Sequence, residues 1–309
     1  MIFYINFEIY NKKYFMNKLL TILFFMISFQ GISQNKVNLS YNFKNGDNYI
    51  VTEDVFSQST QEVAGSSQEV SINQIIKYTL SFFEKPEISN FEIRLKFKKI
   101  TSLVNQSGYK QFFSSDSSDN EISKMFYHFT DKLLNYQLSQ KGKLLPEYSV
   151  DSLFRDSTEA KQKFIFSQSV EQKVIIDLPV KIVFPDSAVA KGDSWIISDT
   201  INSGIFNYYN QTYTLDSISE KEYFISERSD FSTDKTNAVS MNRVYVTYDV
   251  KGKLNSNYIL DKTTCIIQSG KTTQIGKGIV NMKYTQNSDP AYSWKMTVNN
   301  FVKLKTKKL

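Results

Sequence analysis

The chain has 309 residues but only one cysteine and one histidine. A single cysteine, Cys265, cannot form an intramolecular disulfide, so the fold must be held by its hydrophobic core. His128 and Cys265 are also too few for a zinc site, which takes three or four His or Cys ligands unless carboxylates replace them. We therefore predict no metal, no cofactor and no catalytic residue.

Proline and glycine are also scarce, with 5 and 11 residues, whereas aromatic residues make up 15% of the chain. This composition is typical of a packed, strand-rich globular protein and excludes a disordered one. Beyond residue 34 no apolar run is long enough to span a bilayer, so we predict no transmembrane segment in the mature chain.

Residues 1–34 have the pattern of a secretory signal peptide. Lys18 and other basic residues precede a short apolar stretch, Leu19–Phe29, and small residues follow it. The stretch is roughly half of the ~20 residues that a membrane-spanning helix needs. We expect export to the periplasm or to the outside of the cell, and Met16 is a better start for the signal than Met1.

The net charge is mild once the signal peptide is removed. It falls from +6 to about +4, because residues 1–34 carry three lysines and one glutamate. A dedicated nucleic-acid binder concentrates basic residues on one face, and this charge argues against such a protein. We expect no nucleic-acid partner.

Alternation of apolar and polar residues is the clearest structural signal, and it predicts strands with one buried face. The strictest run is Phe91–Lys98. Looser runs are Ile75–Phe83, Gln211–Leu215, Lys221–Ser226, Arg243–Val250, Asn257–Leu260 and Met296–Leu304. Short turns between such runs favour an antiparallel sheet.

Helix is predicted in two places. Apolar residues at helical spacing run from Ile122 to Leu133, after a polar cluster at 114–120 that could supply an N-cap. Residues 157–173 are rich in helix formers and contain no glycine or proline. The connector that follows is bracketed by Pro179 and Pro185 and is expected to be extended.

Two short echoes suggest an internal repeat. The segment 45–54, NGDNYIVTED, has the same order of residue types as 191–200, KGDSWIISDT. Lys141-Gly142-Lys143-Leu144 likewise matches 251–254, and each of these follows a strand-like run. We predict a signal peptide at 1–34, a first β-rich half with the helices at 35–178, and a second β-rich half at 179–309.

These motifs resemble a family of uncharacterised secreted proteins of Gram-negative bacteria with a domain of unknown function. The resemblance rests on residues 44–49, on the turn at 141–143, on 184–195 (FPDSAVAKGDSW) and on a turn predicted at 251–252, followed by 261–264. The motif at 184–195 is the most specific. The resemblance implies no catalytic site.

The Gly192-Asp193-Ser194 triplet is similar to the nucleophile block of one class of serine esterases. Such a serine needs a histidine as general base, and His128 has no acid three residues before it. The parallel copy also has Asn48 in place of Ser194. We therefore interpret the triplet as a turn, in which glycine supplies a positive φ and aspartate bonds back to the backbone.

Three other patterns have both a functional and a structural interpretation. Asp116, Asp119 and Glu121 could bind calcium, but they match no closed loop motif and are better explained as a solvated loop before a helix. Cys265 is most simply a small apolar residue on a strand. At 301–309 lysines alternate with apolar residues, which could attract anionic lipid or polysaccharide. We favour instead a last strand whose lysines discourage edge pairing.

We expect a β-dominated α+β fold in which two related antiparallel halves form a curved sheet or half-barrel with one or two packed helices. The favoured function is a non-enzymatic envelope or periplasmic module that binds an apolar ligand, a glycan or a partner protein. Two alternatives remain open: a purely structural surface protein, and a hydrolase that uses paired carboxylates 5–10 Å apart, drawn from Asp193, Asp199 and Asp261.

Overall fold

Alternating buried and exposed residues build a single large sheet. The computed structural model describes residues 36–63, 65–85, 90–130, 133–145, 178–198, 201–203, 206–233, 235, 238–241 and 244–309. The expected signal peptide, the second predicted helix and Asp199 lie outside these residues. Residues Asn38–Leu309, which include the sheet, form one compact unit.

The described residues contain fourteen strands, all in one antiparallel sheet. In chain order they are β1 (Asp47–Val63), β2 (Ser66–Lys85), β3 (Asn90–Gln106), β4 (Tyr109–Ser114), β5 (Leu133–Ser139), β6 (Leu144–Leu145), β7 (Ser194–Ile197), β8 (Ile201–Ser203), β9 (Phe206–Ile218), β10 (Glu222–Thr233), β11 (Val239–Met241), β12 (Val244–Asp261), β13 (Ile267–Lys283) and β14 (Tyr292–Lys308). The β-dominated antiparallel fold expected from the sequence is thus confirmed. The described part of the predicted run at 243–250 and the whole of the run at 257–260 belong to the one strand β12.

The strand order places the two halves of the chain side by side. The order is β6-β5-β3-β2-β1-β14-β13-β12-β10-β9-β7, and β4, β8 and β11 pair onto β3, β9 and β12. Each half is a meander that advances in the same direction across the sheet. The halves meet where β1 pairs with β14, and they form one sheet with an edge at each end. The predicted boundary at residue 178 remains a prediction.

One helix, α1 (Glu121–Thr130), lies in the described part of the chain. The Asn120 side chain accepts a hydrogen bond from the backbone N–H of Ser123 at 2.8 Å, so the polar cluster does supply the N-cap. Phe126 and Phe129 are buried, and Phe129 lies 6.2 Å from the ring of Phe97 on β3. No helix in the described ranges is long and apolar enough to cross a membrane.

One face of the sheet is buried and the other is exposed, and two extended segments of the chain pack onto the buried face. Residues 38–44 insert Leu39, Tyr41 and Phe43, each at most 1% exposed. Phe43 stacks on Phe82 of β2 at 3.7 Å between ring centroids. The segment 178–184 runs alongside, and its Ile182 carbonyl accepts a hydrogen bond from the Tyr41 hydroxyl at 3.1 Å. Full burial of each such side chain contributes about 1.5–3 kcal/mol.

The two Gly-Asp echoes have the same local geometry. Gly46 and Gly192 have φ values of 85° and 89°. The Asp47 carboxylate accepts a bond from the Lys44 N–H at 3.0 Å, and that of Asp193 accepts one from the Ala190 N–H at 2.8 Å. Both motifs are therefore turns, as predicted, and each opens the first strand of its half.

The second echo does not share one geometry. Gly142 has a positive φ and lies in the turn between β5 and β6, whereas Gly252 lies in the middle of β12, so the turn predicted at 251–252 is wrong. A Cβ on Gly252 would lie 2.5 Å from the ring of Phe231 and 2.1 Å from the carbonyl oxygen of Ile275. Glycine is needed there because a neighbouring ring and strand approach closely.

Gly192→Val should lower the stability of the fold. No atom lies within 4 Å of a Cβ at this position, so the cost comes from the backbone conformation alone. A β-branched residue at positive φ costs about 1–3 kcal/mol, and we expect this loss in the free energy of unfolding measured with urea. The control is Ser194→Ala, which removes an exposed hydroxyl and should change stability by less than about 0.5 kcal/mol. A large loss from the serine change would contradict the interpretation as a turn.

Candidate functional site

Lysines are concentrated on the exposed face of three central strands. Strands β13 and β14 contain three and five lysines, respectively, and no acidic residue. We define the lysine face as the seven exposed lysines on β12, β13 and β14: Lys251, Lys253, Lys271, Lys277, Lys303, Lys305 and Lys307. Strand β14 lies between β1 and β13, so its lysines do not protect a sheet edge, and that sequence interpretation is wrong.

The register of the sheet places lysines directly opposite one another. Lys271 pairs with Lys303 across β13 and β14, and Lys251 pairs with Lys277 across β12 and β13. Within the described residues none of these four forms an ion pair, although Asp54 faces Lys303 from β1. Like charges opposite each other destabilise a sheet by roughly 0.2–1 kcal/mol per pair.

An apolar groove of about 510 Å³ adjoins the lysine face. Phe301 and Phe56 lie opposite each other on β14 and β1, and Leu103 and Phe112 lie opposite each other on β3 and β4. Phe112 is 63% exposed. The Lys303 ammonium lies 5.3 Å from the Phe301 ring centroid. Cationic and exposed apolar groups are thus neighbours on one surface.

A second cavity of about 900 Å³, the slot, opens where β13 begins. Strand β14 pairs with β1 as far as Lys308 but with β13 only as far as Lys305, so residues 306–308 extend beyond β13. The turn at 261–266 faces this extension. Lys305 and Lys307 line the slot from the exposed face, and Tyr49 lines it from the buried face.

Two polar groups in the slot are buried without a hydrogen bond in the described part of the chain, the Tyr49 hydroxyl and the Thr306 hydroxyl. Burial raises the pKa of Tyr49 to about 12 and the charges of Asp47 and Asp261 add to this, while the Thr264 hydroxyl, which is close to the Tyr49 hydroxyl but outside hydrogen-bonding geometry, lowers it. Tyr49 therefore stays protonated at neutral pH and can donate a hydrogen bond.

Two other charged groups at the slot, Lys308 and Asp261, already have partners within the described residues. Lys308 forms an ion pair with Asp47 at 2.6 Å. The Asp261 carboxylate accepts bonds from the Thr263 and Thr264 backbone N–H groups at 3.0 and 2.8 Å, and another from Gln268 at 3.2 Å. Asp261 is thus a turn residue that organises the wall of the slot.

Two buried carboxylates lie on the opposite, buried face. Glu53 accepts a hydrogen bond from the Tyr78 hydroxyl at 2.7 Å. Glu227 accepts bonds from Tyr258 at 2.7 Å and Ser256 at 3.0 Å. Burial and then the charge of Glu227 raise the pKa of Tyr258. Four strand spacings, about 19 Å along the sheet, separate β1 with Glu53 from β10 with Glu227.

The alternation of apolar and polar residues contains a signal for these two buried acids. Glu53 and Glu227 occupy positions of the alternation that the neighbouring residues, such as Val51 and Ile225, fill with apolar side chains. An acid in the apolar phase of a strand predicts a buried carboxylate.

The acids proposed for a hydrolase do not form a pair. Asp193 lies in the turn before β7 and Asp261 in the turn after β12, and both bond to their own turns. These strands are three spacings apart, about 14 Å along the sheet. Asp199 lies outside the described residues. Across the described ranges, no group of three or more His, Cys, Asp or Glu could hold a metal ion.

The other sequence candidates are structural where the chain is described. Ser194 is exposed, and its hydroxyl lies 2.8 Å from that of Thr214. In the loop before α1, Asp116 pairs with Lys99, and Asp119 accepts a bond from Ser117. Cys265 is buried, but it lies in the turn after β12 with φ 58° and not on a strand, and burial raises its pKa to about 11.

A family of unknown function, DUF6263, matches residues 88–267, which is more than half of the chain. The chain belongs to this family. The expected domain of unknown function is thereby confirmed, while Gram-negative secretion stays a prediction. No curated protein matches the chain.

Among solved structures, lipovitellin has a TM-score of 0.51 and 12% identity, and the match covers 86% of this chain. The chain spans 25% of the length of that lipovitellin chain. An outer membrane channel from Pseudomonas putida F1 matches with 8% identity over 86% of this chain and 97% of the channel, but its TM-score is 0.27. The lipovitellin match indicates a similar sheet, and the channel score is too low to indicate a shared fold.

Lys271→Glu should stabilise the fold, because it replaces repulsion across β13 and β14 by attraction to Lys303. We expect the free energy of unfolding to rise by about 0.2–1 kcal/mol at low salt, measured with urea, and the gain to shrink at 1 M salt. Lys253→Glu is a control of opposite sign, because Lys253 faces Asp230 on β10. Equal effects of the two changes would contradict the pairing argument.

Proposed function

We propose that this protein is an exported, non-enzymatic lipid-binding module that docks its lysine face on an anionic lipid surface. The observation that carries the proposal is the Lys271–Lys303 and Lys251–Lys277 pairing beside the exposed apolar groove. Repulsion between the paired lysines lowers the stability of the folded protein, and bound anions would remove this repulsion.

The apolar groove favours lipid over other anionic partners. A nucleic-acid duplex would neutralise the lysines through its phosphates, but its paired bases are stacked on one another and are not offered to the exposed side chains of Phe112, Ile75 and Leu103. A bilayer offers both components, since anionic headgroups meet the lysines and the acyl boundary receives the apolar groups. A glycan chain could bond to the polar residues that line the groove, such as Asn73 and Thr101, but it would leave the exposed apolar side chains without an apolar partner.

The fold is consistent with this proposal. Lipovitellin, whose structure concerns lipid–protein interactions, has a similar sheet. The similarity concerns the fold, and it assigns no ligand to this chain. The bound lipid, the site of action and export itself are parts of the proposal.

Vesicle sedimentation tests the lysine face directly. The protein should bind vesicles that contain phosphatidylglycerol and should bind pure phosphatidylcholine vesicles only weakly. Each lysine near an anionic surface contributes about 1 kcal/mol, so the double variant Lys271→Gln/Lys303→Gln should bind the anionic vesicles about thirtyfold more weakly. Binding should also weaken as salt rises.

The control is Lys191→Gln/Lys221→Gln, which removes the same total charge from two exposed turns beside β9, outside β12, β13 and β14. It should bind anionic vesicles within about threefold of the unmodified chain. Equal losses in the two double variants would overturn the proposal. So would tighter binding to single- or double-stranded nucleic acid than to vesicles under the same conditions.

A further inference from the structure

The slot is incomplete as a hydrogen-bonding structure. The side chain of Tyr49 is 4% exposed, and neither its hydroxyl nor that of Thr306 has a hydrogen-bond partner within the described residues. A buried hydroxyl without a partner costs free energy that a bound ligand would restore. The two hydroxyls belong to neighbouring strands near the register pair Tyr49–Lys308.

Asp261 is the carboxylate that lines the slot, and the other charged groups in its described lining are lysines. Lys305 and Lys307 form no ion pair in the described part of the chain, while Lys308 is held by Asp47 and Asp261 by its own turn. Tyr49 remains protonated. Two ammonium groups at the mouth and two hydroxyls inside are suited to an oxyanion with several acceptor oxygens, entering from the exposed face.

We propose that the slot binds a phosphate group, carried either by the headgroup of an anionic lipid or by a soluble phosphate ester. For the lipid source the inference rests on the function proposed above, because Lys305 and Lys307 belong to both the slot and the lysine face. The phosphate oxygens accept hydrogen bonds from Tyr49 and Thr306 and face the two ammonium groups. A carboxylate has two acceptor oxygens, one fewer than a phosphomonoester, and can therefore accept fewer hydrogen bonds from the donors of the slot.

Tyr49→Phe and Thr306→Val test the slot, because each removes a hydroxyl without changing charge or much volume. Loss of an unsatisfied buried hydroxyl should leave the urea midpoint unchanged or slightly higher. The probe is a pair of phosphatidylcholine vesicles of equal surface potential, one with phosphatidic acid and one with a diacylglycerol succinate, whose charge is a carboxylate. The unmodified chain should prefer phosphatidic acid by about tenfold, and both variants should lose this preference.

The binding of the variants to succinate vesicles separates this inference from the proposed function. Charge-dependent binding that persists without any preference for phosphatidic acid, together with no calorimetric binding of glycerol 3-phosphate, would overturn the slot alone. Loss of all charge-dependent binding would overturn the lipid-surface function.

The soluble ligand distinguishes the two sources of phosphate. Calorimetric binding of glycerol 3-phosphate that Tyr49→Phe abolishes supports a site that takes the phosphate group without acyl chains. Preference for phosphatidic acid vesicles with no binding of glycerol 3-phosphate supports a headgroup site that needs the bilayer. A preference that survives in both hydroxyl variants would contradict the assignment of phosphate to the slot.

Discussion

The pairing of β1 with β14 is the constraint on which the rest of the structure depends. It joins strands near the two ends of the described chain over fourteen register pairs, from Tyr49–Lys308 to Glu62–Lys295. Without it the two meanders would be separate sheets. Because of it, a lysine-rich strand lies at the centre of one continuous surface, with the apolar groove on one side and the slot at its end.

The parts of the fold that depend on neighbouring residues could be predicted from the sequence. Period-two alternation predicted nearly half of β3 and of β2, and helical spacing after a polar cluster predicted α1 and an N-cap within that cluster. The Gly-Asp turns were predictable for the same reason, since Gly192 and Asp193 form their turn with residues a few positions away. These features are determined by contacts between residues that are close in the sequence, so a short stretch of sequence is enough to predict them.

The parts that depend on distant pairing could not be predicted. Alternating lysines near the end of the chain are equally consistent with an edge strand and with a central one, and the partner of β14 begins about 240 residues earlier. The cross-strand lysine pairs require a register that no single strand contains. Gly252 was misinterpreted as a turn because its actual reason, the ring of Phe231 on β10, lies elsewhere in the sequence. The small net charge of the chain likewise gave no indication that lysines are concentrated on one face of the sheet.

The central position of β14 also has a consequence for the order in which the molecule can be assembled. Contacts between residues this far apart form late, because a long loop must close before they contribute stability. Until residues 292–308 are in place, β1 and β13 both present long unpaired edges, which can template association with other chains. Strand β14 therefore joins the two halves of the sheet, and the Lys271–Lys303 pair exists only after β14 has paired with β13.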